Sequence, residues 1–174
     1  KQSSETSRNT RVQTAIKLKT LKKQSCYKNF INFLNKKEHL NCPISFCHGD
    51  FTLSNMIFKD DIYLIDFLDS FVESYWVDII KIRQDTLYKW CLIYNNINSA
   101  KCEIILNKLN EKITKLFKDD VENESFKILE AINILRIEPY ISSNKKHIIN
   151  QMLKQNPIYE HFNNSRLRQV YSIP

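Results

Sequence analysis

The chain has 174 residues, 43% of them hydrophobic, and carries a net charge of +7. That length and apolar content suit one globular domain with a real core and exclude a disordered chain. No apolar run approaches the roughly 20 residues of a membrane helix, and the polar opening KQSSETSRNT does not resemble a signal peptide.

Taken in chain order, residues 1–10 read as a polar tail or linker. The opening without an initiator Met reads as a fragment or a processed piece. Residues 11–174 read as a single domain. Val12, Ala15, Ile16, Leu18 and Leu21 fall at helical spacing and predict a helix over 10–24. Tyr27, Phe30, Ile31, Phe33 and Leu34 predict a second over 26–37, ended by Asn41-Cys42-Pro43. Ile44 to Cys47 reads as a short strand. Met56–Phe58 and Ile62–Ile65 are β-prone runs around Lys59-Asp60-Asp61, which predicts a hairpin. One long helix is expected over Trp76–Tyr94. Another is expected over Ser99–Phe117, with Ser99 as N-cap. Ser125–Ile137 follows, ending before Pro139, and then Lys145–Gln155, stopped by Pro157. The expected fold is α+β, mainly α: helices, a small hairpin, then helices.

The charge is local. Residues 1–39 hold ten Lys/Arg against two Asp/Glu, a net of +8, and the remainder is net −1. With no interleaved aromatic stacking pattern and no nucleic-acid motif following it, the basic segment reads as a solvated helix face before a nucleic-acid or anionic-lipid surface. Five cysteines without a Cys-x-x-Cys pair read as reduced thiols of a cytoplasmic protein. His39, His147 and His161 lack metal-ligand spacing.

The chemistry concentrates in FCHGDFTLSNMIFKDDIYLID, residues 46–66. His48, Asp50, Asn55 and Asp66 stand there in an order that phosphoryl transfer can use. A carboxylate can hold an attacking hydroxyl, and an amide with a second carboxylate can hold magnesium. Taken singly, each of these residues is a common turn or capping residue. Gly49 is the only glycine of the chain, so neither a Gly-rich nucleotide flap nor a Walker loop can be built from it.

The segment HGDFTLSN followed by LIDF resembles the aminoglycoside phosphotransferase and choline kinase family, which has a protein-kinase-like fold. The family pattern is matched at His48, Gly49, Asp50, Asn55, Ile65, Asp66 and Phe67. The resemblance implies that Asp50 is the catalytic carboxylate and that Asn55 and Asp66 bind metal and nucleotide phosphate. It also implies that His48, Gly49 and Asp78 support the catalytic loop. Asp78 reads equally as a charge in a first helical turn. Asp69, Arg83 and Arg136 are candidate substrate contacts, each with a plainer reading: a turn cap for Asp69 and a helix-terminal charge for Arg136, while Arg83 belongs to a cluster with Lys81, Gln84 and Asp85 that reads as a solvated face or, alternatively, as substrate or loop contacts.

The implied activity is transfer of the γ-phosphoryl of ATP, with GTP as an alternative, to a hydroxyl of a sugar, amino alcohol or aminoglycoside-like acceptor. Mg2+ is the implied cofactor. The family's β-rich N-terminal lobe has no counterpart here, since the residues ahead of the loop read helical. The chain is therefore expected to be a C-terminal lobe, its nucleotide lobe missing or supplied by a partner chain. The alternative is a non-catalytic, pseudokinase-like binding module.

Overall fold

A computed structural model describes residues 27–36, 40–142 and 145–171. In chain order these form α1 (Lys28–Asn35), a 3-10 turn (Leu53–Asn55), β1 (Met56–Phe58), β2 (Ile62–Leu64), α2 (Tyr75–Thr86), α3 (Trp90–Tyr94), α4 (Ala100–Leu116) and α5 (Lys118–Glu122). Then come α6 (Glu124–Ile137), a 3-10 turn (Glu138–Tyr140), α7 (Lys146–Lys154) and α8 (Pro157–Tyr171). The fold is α+β and mainly helical, with one two-stranded antiparallel sheet among the described residues. No described helix is long and apolar enough to cross a membrane. The helix expected over 10–24, the N-terminal tail and His39 lie outside the described residues.

The described residues divide into two compact units, one formed by residues 42–123 and the other by α1 together with the described residues from 124 on. In the second, helical unit, α1 turns Phe30, Ile31 and Leu34 inward. Phe30 meets the ring of Tyr159 edge-on at 4.9 Å and that of Phe162 at 5.3 Å, which docks α1 on α8. In α7, Ile148, Ile149, Met152 and Leu153 form one buried stripe.

Pro157 ends α7, as the sequence implies, but it also opens a further helix, α8, that the periodicity did not suggest. The missed signal is the dipeptide Asn156-Pro157, an N-cap followed by proline at the first helical position. Asn156 Oδ1 accepts the Ile158 N–H at 3.0 Å. Its amide donates to the Lys127 carbonyl at 3.1 Å and to Glu130 Oε2 at 3.2 Å, tying α8 to α6.

The 42–123 unit carries the hairpin, in the register Met56↔Leu64, Ile57↔Tyr63, Phe58↔Ile62. The turn closes with the Lys59 N–H donating to the Asp61 carbonyl. The strand expected at Ile44–Cys47 does not form. Ser45 donates one backbone bond to Glu73 and accepts the Tyr75 N–H on its hydroxyl. Its neighbour is thus the lead-in to a helix, with no strand to extend a ladder.

The single helix expected over Trp76–Tyr94 is two helices. Lys89 is left-handed at φ 59°, and the Leu87 and Tyr88 N–H groups both fold back on the Arg83 carbonyl. The Thr86 hydroxyl donates to the Ile82 carbonyl, and the Lys89 ammonium donates to the Thr86 carbonyl. Lys89 thus takes up the Thr86 carbonyl, which would otherwise accept the next helical N–H, while the Thr86 hydroxyl back-bonds within the last turn. Ser99 caps α4, accepting the Cys102 N–H. Arg83 donates to Thr114 Oγ1 at 3.0 Å, joining α2 to α4.

Replacing Asn156 with alanine removes the cap of α8 and a donor to the buried Glu130. It should lower the unfolding free energy by about 2 kcal/mol, read from the urea midpoint of the purified chain.

Candidate functional site

The loop from His48 to Asn55 lies across one face of α2. Asp78, in the first turn of that helix, accepts the His48 N–H on Oδ2 at 2.8 Å and the Gly49 N–H on Oδ1 at 3.0 Å. Asp85, seven residues on and so on the same face, accepts the Leu53 N–H at 2.9 Å on one oxygen and the Cys91 N–H at 3.1 Å on the other. Two carboxylates thus hold three backbone donors of a segment with little secondary structure of its own. Bonds from backbone N–H to an ionised group are among the stronger neutral-to-charged kind.

Asp85 is almost fully buried. Burial raises its carboxyl above the ordinary value, while the Leu53 and Cys91 N–H groups and the charge of Lys81 pull it back down. Burial and the neighbouring Asp85 carboxylate push the Cys91 thiol up to about 11, so Cys91 is a protonated packing residue near neutral pH.

Within the loop, Gly49 sits at φ 81°. A Cβ there would lie 2.0 Å from the Leu68 carbonyl oxygen, so both conformation and space demand glycine. The Leu68 N–H donates to the His48 carbonyl at 2.9 Å, bringing the segment after β2 back over the loop. His48 is 4% exposed and stacks on Phe67 at 4.2 Å. Its Nδ1 faces the Asp50 N–H at 3.4 Å, and its buried Nε2 has no hydrogen-bond partner.

Asp50 and Asn55 meet directly. Asn55 Nδ2 donates to the Asp50 carbonyl at 2.8 Å and to Asp50 Oδ2 at 3.1 Å. A carbonyl only accepts, so the amide orientation is fixed and Asn55 Oδ1 faces away from Asp50. Asn55 also begins the hairpin: the Ile65 N–H donates to its carbonyl at 3.1 Å, one step beyond the Met56↔Leu64 pair. Asp66 is therefore the residue that follows the rung at Asn55. It is exposed and left-handed at φ 58°, a conformation that Asp tolerates better than most residues.

The donor chemistry fits magnesium. An amide oxygen and an exposed carboxylate flank the base of one hairpin, and this ion uses one or two protein ligands beside phosphate and water. Among the described residues, no three His, Cys, Asp or Glu side chains converge as a ligand set.

Of the remaining candidates, Asp69 is exposed shortly after Asp66. Arg136 lies on α6 in the helical unit. The solvated face expected for Arg83, Gln84 and Asp85 is a buried one. Arg83 is 6% exposed and turned onto α4, so it is held in helix packing and not presented to a substrate. An apolar groove of about 920 Å³ runs between β1, α2 and α4. Its one charged wall residue, Asp78, has both oxygens bonded to the loop, so the groove offers nothing to a phosphate.

The model of the phosphotransferase enzyme family matches residues 6–92, half of the chain. The chain belongs to that family. No curated protein and no solved structure matches it. The phosphotransferase match takes in the loop, the hairpin and α2, while α4 to α8 lie beyond it.

Two members of the α2 cluster that reads first as a solvated face are instead engaged with the loop. Asp85 repeats Asp78 after two helical turns, and that spacing was the available signal. Lys81 stands between them and pairs with Asp50.

Gly49→Ala should cost about 3 kcal/mol of stability through the left-handed backbone and the clash with Leu68. Chemical denaturation of the variant beside wild type measures it.

Proposed function

We propose that this chain is the catalytic C-lobe of a protein-kinase-like small-molecule phosphotransferase. It transfers the γ-phosphoryl of ATP or GTP to a hydroxyl of a sugar, amino alcohol or aminoglycoside-like acceptor. The observation that carries the proposal is the joined pair Asp50 and Asn55, on a loop bonded to α2, within the span of the family match.

In this proposal Asp50 orients the acceptor hydroxyl and takes its proton as transfer proceeds. The acceptor oxygen bonds to the γ-phosphorus as the bond to the β–γ bridging oxygen breaks, and the nucleoside diphosphate leaves. The transition state is loose, so a carboxylate of ordinary basicity in the right place suffices. Asn55 Oδ1 and Asp66 would hold Mg2+, which offsets the charge of the nucleotide phosphates. Asp78 and Asp85 hold the loop, and Gly49 lets it pass beneath Leu68. Asp69 is the proposed acceptor contact beside the metal carboxylate. The loop has no Lys or Arg between His48 and Asn55, which favours small acceptors over protein substrates. Further grip on the nucleotide comes from a β-rich lobe outside these residues.

The test is Mg2+-dependent consumption of ATP and GTP by the purified chain, alone and with its flanking sequence, against sugars, amino alcohols and aminoglycosides. Acceptor-dependent turnover should fall by about 1,000-fold or more in Asp50→Asn. Turnover equal to wild type in that variant, or neither turnover nor binding of the magnesium nucleotide in the longer form, would leave a binding module as the better account.

A further inference from the structure

We propose that Lys81 is a positioning residue that fixes the carboxylate of Asp50. The inference rests on the phosphotransferase function proposed above and deepens it. The Lys81 ammonium lies 3.0 Å from Asp50 Oδ1. The other oxygen, Oδ2, accepts from Asn55 Nδ2 at 3.1 Å. Each carboxylate oxygen thus has its own donor, and together the two donors set the side-chain torsion.

The loop cannot provide this cation itself, because no Lys or Arg occurs between Leu40 and Phe58. It comes instead from α2, three residues after Asp78 and four before Asp85. All three project toward the loop from one helical face. The pair is not an ordinary surface bridge, which contributes little: the Lys81 and Asp50 side chains are only 16% and 28% exposed. Lys81 is also the positive charge that draws the buried Asp85 carboxyl down, so one ammonium serves a site crowded with carboxylates.

The division of labour is clear in the geometry. Asp78 and Asp85 hold loop backbone, whereas Lys81 holds a side chain and bonds no backbone group of the loop. Losing Lys81 should leave the loop in place but let the carboxylate turn about its own torsions. In a reaction that depends on alignment, that lowers kcat and spares nucleotide binding.

The test compares wild type, Lys81→Met, Lys81→Arg, Asp50→Asn and the Asp50→Asn/Lys81→Met double variant, with Mg·ATP and the best acceptor of the panel. Lys81→Met should lower kcat by about 100-fold and change the nucleotide KM by less than about threefold. Lys81→Arg should recover most of the loss. In the Asp50→Asn background, Lys81→Met should cost nothing further, since it acts through Asp50. Carbodiimide coupling should also join Asp50 to Lys81 in the wild-type chain as a cross-linked peptide found by mass spectrometry, a result independent of turnover. An unimpaired Lys81→Met, an equal loss in the Asp50→Asn background, or no cross-link would each overturn the role of Lys81. An unimpaired Asp50→Asn would instead overturn the phosphotransferase proposal on which it rests.

Discussion

Everything at the candidate site depends on one arrangement: two carboxylates of a single helix accept the backbone N–H groups of the loop that lies across it. Asp78 takes those of His48 and Gly49, and Asp85 takes that of Leu53. The loop satisfies only some of its own donors, and unpaired donors out of contact with water are costly. The helix supplies the acceptors, so loop and helix form one rigid piece. The left-handed Gly49, the stacking of His48 on Phe67 and the contact of Asn55 with Asp50 all follow from where the backbone is held.

Electrostatics complete the arrangement. Asp50, Asp78 and Asp85 bring three carboxylates to one helix face, and among the described residues Lys81 is the cation paired there. Such a cluster is tolerable because its members are engaged, two with backbone N–H groups and one with an ammonium and an amide. The hairpin adds a geometric constraint. Its register puts Ile65 opposite Asn55, so Asp66 can arrive only at that end. Phosphoryl transfer asks a protein mainly for placement and charge, and this framework supplies both from short-range bonds.

The sequence revealed the parts of this design whose signal is local. The spacing His48-Gly49-Asp50, Asn55, Asp66 and the β-prone runs around Lys59–Asp61 located the loop and the hairpin. The apolar periodicity located α1, α4, α6 and α7. What it hid depends on tertiary partners. Ile44–Cys47 is apolar enough for a strand but has no strand to pair with. The stripe from Trp76 to Tyr94 looked continuous because apolar spacing does not register a left-handed Lys89. Pro157 is the exception: with Asn156 it forms a local helix-start signal beside its role as a stop, and only the bonds of Asn156 to α6 are tertiary. Lys81 and Asp85 looked like solvated charges because helical spacing gives a face but not what lies against it.

The most direct test of the account is amide hydrogen exchange at His48, Gly49 and Leu53, resolved by NMR. Wild type should protect all three by about 100-fold or more over unstructured chain. Asp78→Asn should accelerate exchange at His48 and Gly49 and leave Leu53 slow, while Asp85→Asn should accelerate Leu53 and leave the other two slow. Exchange at unprotected rates in wild type, or no site-selective change in the variants, would contradict a loop held by these two carboxylates.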